Sequence, residues 1–255
     1  MEISGKKAIV VGGASGFGRA TAESLAARGA NVAILDRTQS DGKDVASAIG
    51  ASFHEVDITD FAGTETVLQR AIDDLGGLHI IVTTAGGGIA ERTVKKDGPH
   101  GLDSFRAVID LNLIGTFNVS RLAAWQMSQQ EPVDDDAEER GVIINTASIA
   151  AFEGQIGQLA YTASKAAIAG MSLTMARDLG SLGIRVLAIA PSLFATGITK
   201  GIPDEFAAAL IKDAAFPKRL GKPEEYAKLA LAIVDNPMLN GQCLRLDAGQ
   251  RFAPK

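Results

Sequence analysis

Ala8-Ile-Val-Val-Gly-Gly-Ala-Ser-Gly-Phe-Gly18 carries an apolar strand into a glycine-rich turn and then into a helix that begins near Arg19. Gly12, Gly16 and Gly18 stand in the spacing G-x-x-x-G-x-G. Residues without a Cβ let the backbone turn tightly and approach a pyrophosphate, whose charge the free N–H groups and the dipole at the helix start stabilise. Ser15 and Phe17 lie inside the same turn and count with it as candidate dinucleotide contacts.

The next strand supports that reading. It ends in Asp36, where a carboxylate accepts hydrogen bonds from a ribose and repels a 2′-phosphate. NAD is therefore favoured over NADP, with neighbouring Arg37 as the opposing signal. Asp57, ending a third strand with Ile58 beside it, is placed to meet the adenine amino group, and Ala85 and Gly86 form a small-residue shelf after a fourth.

Beyond the turn the chain keeps one rhythm. Apolar or β-branched runs at 8–11, 32–35, 80–83, 142–145 and 186–190 are each followed by ten or more residues of helical character. Further strands are expected near 52–56 and 243–246, and helices at 19–28, 42–49, 64–75, 102–127, 160–180, 204–213 and 224–234. Several runs are apolar on consecutive positions, as in strands covered on both faces. The expected fold is α/β: a Rossmann-like, doubly wound parallel sheet in a single dinucleotide-binding catalytic domain over 1–255. The stretch 131–140, with Pro132 and a run of acidic residues, reads as a solvated loop.

Composition excludes several classes. With 46% hydrophobic and 22% charged residues, the chain has an ordinary globular mix. A net charge of -5 without a basic block does not suggest nucleic acid or an anionic membrane as partner, so a small molecule is expected. Cys243 is the only cysteine and His54, His79 and His100 are scattered, so no metal site is expected. The start of the chain has no apolar signal core, and a reducing, cytoplasmic setting is expected.

The chemistry is expected further along. The strand at 142–145 leads to Ser148, and Tyr161-Thr-Ala-Ser-Lys165 opens an apolar helix, with Tyr161 and Lys165 one turn apart on one face. A phenol is a poor acid or base at neutral pH, and a nearby ammonium favours phenolate. A hydride moving to or from carbon must be matched by a proton at oxygen, and the Ser148 hydroxyl can hold that oxygen.

Together these motifs resemble the short-chain dehydrogenase/reductase family over essentially the whole chain. The resemblance implies strand order 3-2-1-4-5-6-7 and a homotetramer. It implies Ser148, Tyr161 and Lys165 as the catalytic triad, and Asn112 in Asp110-Leu-Asn112 as a fourth member that holds a relay water. It further implies that Lys165 binds the nicotinamide ribose and that Pro191 and Thr196, with Leu193 and Phe194 between them, line the cofactor. The segments at 141–155, 113–119 and 219–221 resemble the type-2 3-hydroxyacyl-CoA dehydrogenases, a subgroup also known as 17-beta-hydroxysteroid dehydrogenase type 10. That subgroup oxidises 3-hydroxyacyl-CoA esters and often accepts hydroxysteroids. Val11, Thr83-Thr84 and Ser192 depart from the residues usual in the family's cofactor turns.

Substrate contacts are expected after Ser148 and after Pro191, from Phe152, Gln155, Gln158, Leu193, Phe194 and Ile198. Arg92, Lys95 and Lys96 are placed to meet coenzyme A phosphates, and helices rich in Ile114, Phe117, Trp125, Met171 and Met175 to meet other subunits. Two other enzymes fit the motifs less closely: a 3-oxoacyl-carrier-protein reductase, which Asp36 argues against, and a hydroxysteroid dehydrogenase. The non-enzyme alternative is an NAD-binding regulatory scaffold.

Overall fold

The computed structural model describes residues 1–133, 138–197 and 211–254. Seven parallel strands form its sheet: β1 Lys7–Val11, β2 Asn31–Asp36, β3 Ser52–Glu55, β4 Ile80–Thr83, β5 Gly141–Thr146, β6 Ile184–Pro191 and β7 Cys243–Leu246. Their spatial order is β3-β2-β1-β4-β5-β6-β7, as expected from the sequence. The register pairs Val11 with Leu35 on one side and with Thr83 on the other, so the strands end together and present their carboxyl ends as one edge.

Alternation along the strands divides the apolar residues between two cores. Ala8, Val10, Val32 and Ile34 pack with Ala22 and Leu25 of α1 (Gly16–Ala27), Val45 of α2 (Gly42–Ile49) and Tyr226 of α7 (Pro223–Asp235). Ile9, Val11, Ala33 and Leu35 face Leu68 of α3 (Phe61–Leu75), Met127 of α5 (Gly115–Ser128) and Ala176 of α6 (Leu159–Leu179). Both faces of β4, β5 and β6 are thus buried, which explains their unbroken apolar runs.

Two expectations need revision. The helix at 102–127 is two helices, α4 (Leu102–Ile109) and α5, joined by a π-helical turn over Asp110–Ile114. The 131–140 stretch is not wholly solvated, since Glu139 is buried against Arg185 at 2.8 Å and the terminal amine of Met1 at 3.2 Å. Arg185 lies on buried β6, and a guanidinium there must find a counter-charge as well as the carbonyls of Ile233 and Val234 that it also bonds. The helix expected at 204–213 falls largely outside the described residues, as does Ile198.

Candidate active site

The glycine turn is built by close approach. Gly12 adopts φ +80°, and a Cβ there would lie 2.6 Å from the Ala85 nitrogen. At Gly18 a Cβ would lie 2.0 Å from the Gly12 carbonyl oxygen, so α1 can start here only because glycine occupies that position. Thr84 donates its hydroxyl to the carbonyls of Val11 at 3.1 Å and Gly12 at 3.2 Å. It thereby pins the turn to the end of β4. Ser15 forms the N-cap of α1 without using its side chain there, and Gly16 and Phe17 open the helix.

Asp36 is already oriented, since its carboxylate accepts the Ala14 N–H at 2.9 Å and the Arg37 N–H at 2.7 Å. Asp57 accepts both the N–H and the hydroxyl of Thr59, and these bonds hold its carboxyl below the usual range. From Asp36, Asp57 and Ile58 a continuous cleft of about 890 Å³ runs past Gly12, Ser15, Gly16, Phe17, Ala85 and Gly86 to Ser148, Tyr161 and Lys165. Pro191, Leu193, Phe194 and Thr196 close its other side. Phe194 is 6% exposed and meets the Phe17 ring edge-on at 5.1 Å. A cradle in which Gly12 and Gly18 leave no room for a Cβ, open at a helix N-terminus, fits a dinucleotide pyrophosphate.

Ser148 follows β5 and accepts the Ala150 N–H at 3.1 Å as the N-cap of a short 3₁₀ turn (Ile149–Ala151). Tyr161 stands in the first turn of α6 and faces the Ser148 hydroxyl across the cleft. Lys165, one turn on and 3% exposed, donates from Nζ to the Thr146 carbonyl at 2.7 Å. Its Nζ lies 5.7 Å from the centre of the Tyr161 ring. Burial pushes the Lys165 ammonium down to about 8.

The electrostatics correct one expectation. Tyr161 is pushed up from its ordinary value because burial strips water from the phenolate, and the facing Ser148 hydroxyl only partly offsets this. The ammonium that was to favour phenolate is turned toward Thr146. Unaided by a ligand, Tyr161 therefore rests as the protonated phenol.

Asn112, which residue patterns alone place as an ordinary polar helix residue, sits fully buried at the centre of the π turn. Its carboxamide accepts the Gly87 N–H at 2.9 Å and donates to the Gly87 carbonyl at 2.7 Å and to the Ser164 hydroxyl at 3.1 Å. A Cβ on Gly86 would come within 2.8 Å of the Asn112 Oδ1 and 3.2 Å of the Lys165 Nζ, so the loop after β4, the π turn and α6 meet at one point. The extra residue of a π turn re-aims a side chain, and such turns are common at functional sites.

At the substrate end Gln158 lines the cleft, but Phe152 and Gln155 do not. The 3₁₀ turn after Ser148 swings the chain outward. Phe152 is 52% exposed with the Arg245 guanidinium 5.2 Å from its ring centre, and Gln155 donates to the Ala253 carbonyl at 3.1 Å. Gln155 instead lines a neighbouring concavity of about 550 Å³ with Arg92, Gly157 and Thr162. Lys95 is paired with Glu91 at 2.7 Å, while Lys96 is exposed. The sequence reading missed Ile89 and Ala90, from the loop after β4, and Phe252, from the C-terminal tail, which line the cleft. Ile89 and Ala90 follow the glycine run Gly86-Gly87-Gly88, a signal that the chain there passes close to the site.

Comparison with known proteins agrees with this geometry. A family model described as short chain dehydrogenase matches residues 6–206. The chain is 47% identical over 256 residues to a 3-hydroxyacyl-CoA dehydrogenase type-2 of Bos taurus, covering 99% of this chain and 97% of that one. A crystal structure of a 3-hydroxyacyl-CoA dehydrogenase type-2 from Mycobacterium avium matches with a TM-score of 0.93 at 42% identity, over 100% of both chains. A 7 alpha-hydroxysteroid dehydrogenase complexed with NADH and 7-oxo glycochenodeoxycholic acid matches with a TM-score of 0.88 at 30% identity, over 100% of this chain and 97% of that one.

Proposed function

This chain belongs to the short-chain dehydrogenase family, and from that premise we propose that it is an NAD(H)-dependent oxidoreductase interconverting 3-hydroxyacyl-CoA and 3-oxoacyl-CoA. The observation that carries the reading is the meeting of Ser148, Tyr161 and Lys165 in the same cleft whose far end holds the Asp36 carboxylate, with Asn112 buried behind its Gly86–Gly87 wall. In this proposal residues 1–255 act as a single dinucleotide-binding catalytic domain.

The glycine turn and the start of α1 would hold the pyrophosphate, Asp36 the adenosine ribose, and Lys165 with Tyr161 the nicotinamide ribose. When bound, the nicotinamide supplies or accepts the hydride. The chain's own groups handle the proton. Ser148 and Tyr161 hydrogen-bond the substrate oxygen, and in the reductive direction Tyr161 gives its proton to that oxygen as the carbon is reduced. In the oxidative direction the phenol must first lose its proton. A buried Lys165 with its pKa near 8 is placed to assist, and Asn112, which meets it at Gly86, would hold the relay water.

Asp36 supports NAD and argues against the NADPH expected of a 3-oxoacyl-carrier-protein reductase. Arg92, in the neighbouring concavity, and the exposed Lys96 are the proposed partners of the coenzyme A phosphates, with Lys95 sharing its charge with Glu91. Hydroxysteroid oxidation is a second reading, supported by the apolar wall of Ile89, Leu193 and Phe252. A homotetramer is supported by Trp125, 67% exposed, and Phe117, 43% exposed, both on α5. A cytoplasmic setting without membrane or nucleic acid is proposed on the composition, and no described helix is long and apolar enough to cross a membrane.

The test is turnover of acetoacetyl-CoA with NADH. Tyr161→Phe should lower kcat/KM by about 10³-fold while NADH affinity, read by fluorescence titration, falls by no more than about tenfold, the loss of one hydrogen bond to the ribose. A wild type inert toward the thioester, or a Phe variant of near-normal rate, would refute the proposal.

A further inference from the structure

The C-terminal residues cross the substrate end of the cleft as a strap. The Glu153 carboxylate faces the backbone N–H of Phe252, one of the groups that hold it below the usual carboxylate range. The same carboxylate is gripped by Arg245 at 2.8 and 3.0 Å and by Arg251 at 3.3 Å. Asp247 bonds both arginines, at 2.6 and 3.1 Å, and Arg245 and Arg251 both donate to the Gln250 carbonyl. Past Phe252, the Gln155 side chain donates to the Ala253 carbonyl and the Ile156 N–H to the Pro254 carbonyl, each at 3.1 Å. The chain is thus fixed on both flanks of Phe252.

Its side chain belongs to none of the three apolar clusters found among the described residues. It lines the cleft instead, with Ile89 and Leu193, at the end where Ser148 and Tyr161 lie. A large apolar ring held by a balanced set of two carboxylates and two guanidiniums, yet left out of the core, has the cleft itself as its contact surface. We infer that Phe252 is a specificity-determining residue that limits the length of acyl chain the cleft accepts, and that Glu153 is the residue positioning it. This rests on the proposed reading for its substrate class.

The experiment measures NADH-dependent reduction of acetoacetyl-CoA, 3-oxooctanoyl-CoA and 3-oxododecanoyl-CoA, and in parallel of methyl ketones of matching length. Phe252→Ala should raise the long-to-short ratio of kcat/KM by about tenfold, the discrimination that one or two methylenes in an apolar pocket provide. The KM for NADH should not move. Phe252→Leu, which keeps most of the volume, should stay within about twofold of wild type. Glu153→Gln should shift the ratio in the same direction through KM rather than kcat, and Glu153→Asp should recover part of the wild-type profile. A Phe252→Ala profile parallel to wild type over both sets overturns the inference. A wild type that reduces the ketones and no thioester sinks the coenzyme A reading alone, because the ketone ratio still decides the role of Phe252. A wild type that reduces neither set overturns both.

Discussion

Replacing Lys165 by Met should abolish turnover and at the same time stabilise the unliganded protein. The ammonium is enclosed, with its Nζ on the Thr146 carbonyl, and burial lowers it from 10.5 to about 8. At about 1.4 kcal/mol per pH unit, that depression corresponds to roughly 3 kcal/mol of desolvation cost carried by the folded state at neutral pH. Methionine removes the charge and fills similar space, but leaves the Thr146 carbonyl without its donor, at a cost of about 1–3 kcal/mol. The net expectation is a gain of about 1 kcal/mol at pH 7, equivalent to about 2–4 °C in Tm for a chain of this size. The pH dependence separates this cause from better packing. Below pH 8 the lysine is charged whether folded or unfolded, and the full cost applies. Between about 8 and 10.5 the folded protein binds fewer protons than the unfolded chain, so wild-type stability rises with pH and overtakes the variant. Urea melts of both proteins, followed by circular dichroism at intervals across that range, read the difference directly. A variant less stable than wild type at pH 7, or a gap that does not change with pH, refutes the reasoning.

Two further outcomes follow from the cofactor end. Asp36→Ala should raise the KM for NADH about 10- to 100-fold, since a charge-assisted bond to a ribose hydroxyl contributes about 1.5–3 kcal/mol, and should improve NADPH relative to NADH; equal KM changes for both cofactors would remove Asp36 from cofactor choice. Gly18→Ala sets a Cβ 2.0 Å from the Gly12 carbonyl oxygen and 2.6 Å from the Thr84 hydroxyl, so NADH affinity measured by calorimetry should fall at least about tenfold and the melting midpoint should drop; unchanged values for both would show that the turn has more room than its geometry indicates.

Local rules made most of the frame legible in the sequence, and the failures fall where a residue's role depends on what arrives from elsewhere in the chain. β1 and its turn could be read because a short apolar run, three glycines and a helix start obey period and sterics within one continuous stretch, and Asp36 because the next strand must lie alongside. Asn112 could not, because a π turn is one extra residue in an otherwise helical pattern, and only its bonds to Gly87 and Ser164 show what the insertion achieves. Glu139 was misread because three neighbouring acidic residues predict solvation, and the buried guanidinium that captures it stands on a strand more than forty residues later. Tyr161 and Lys165 gave the correct pair but an incomplete electrostatic account. Helical spacing places them on one face without saying how much water either loses, and burial outweighs their proximity for both groups. Phe252 is the furthest case, since nothing near it in sequence is periodic, and its place in the cleft depends on charges at 153, 245, 247 and 251 meeting across the sheet edge. The groups that perform the chemistry are thus encoded locally, and those that hold and select the substrate are encoded in contacts between segments. Variation at Phe252 and Glu153 can therefore change what is turned over while leaving Ser148, Tyr161 and Lys165, and the reaction they support, as they are.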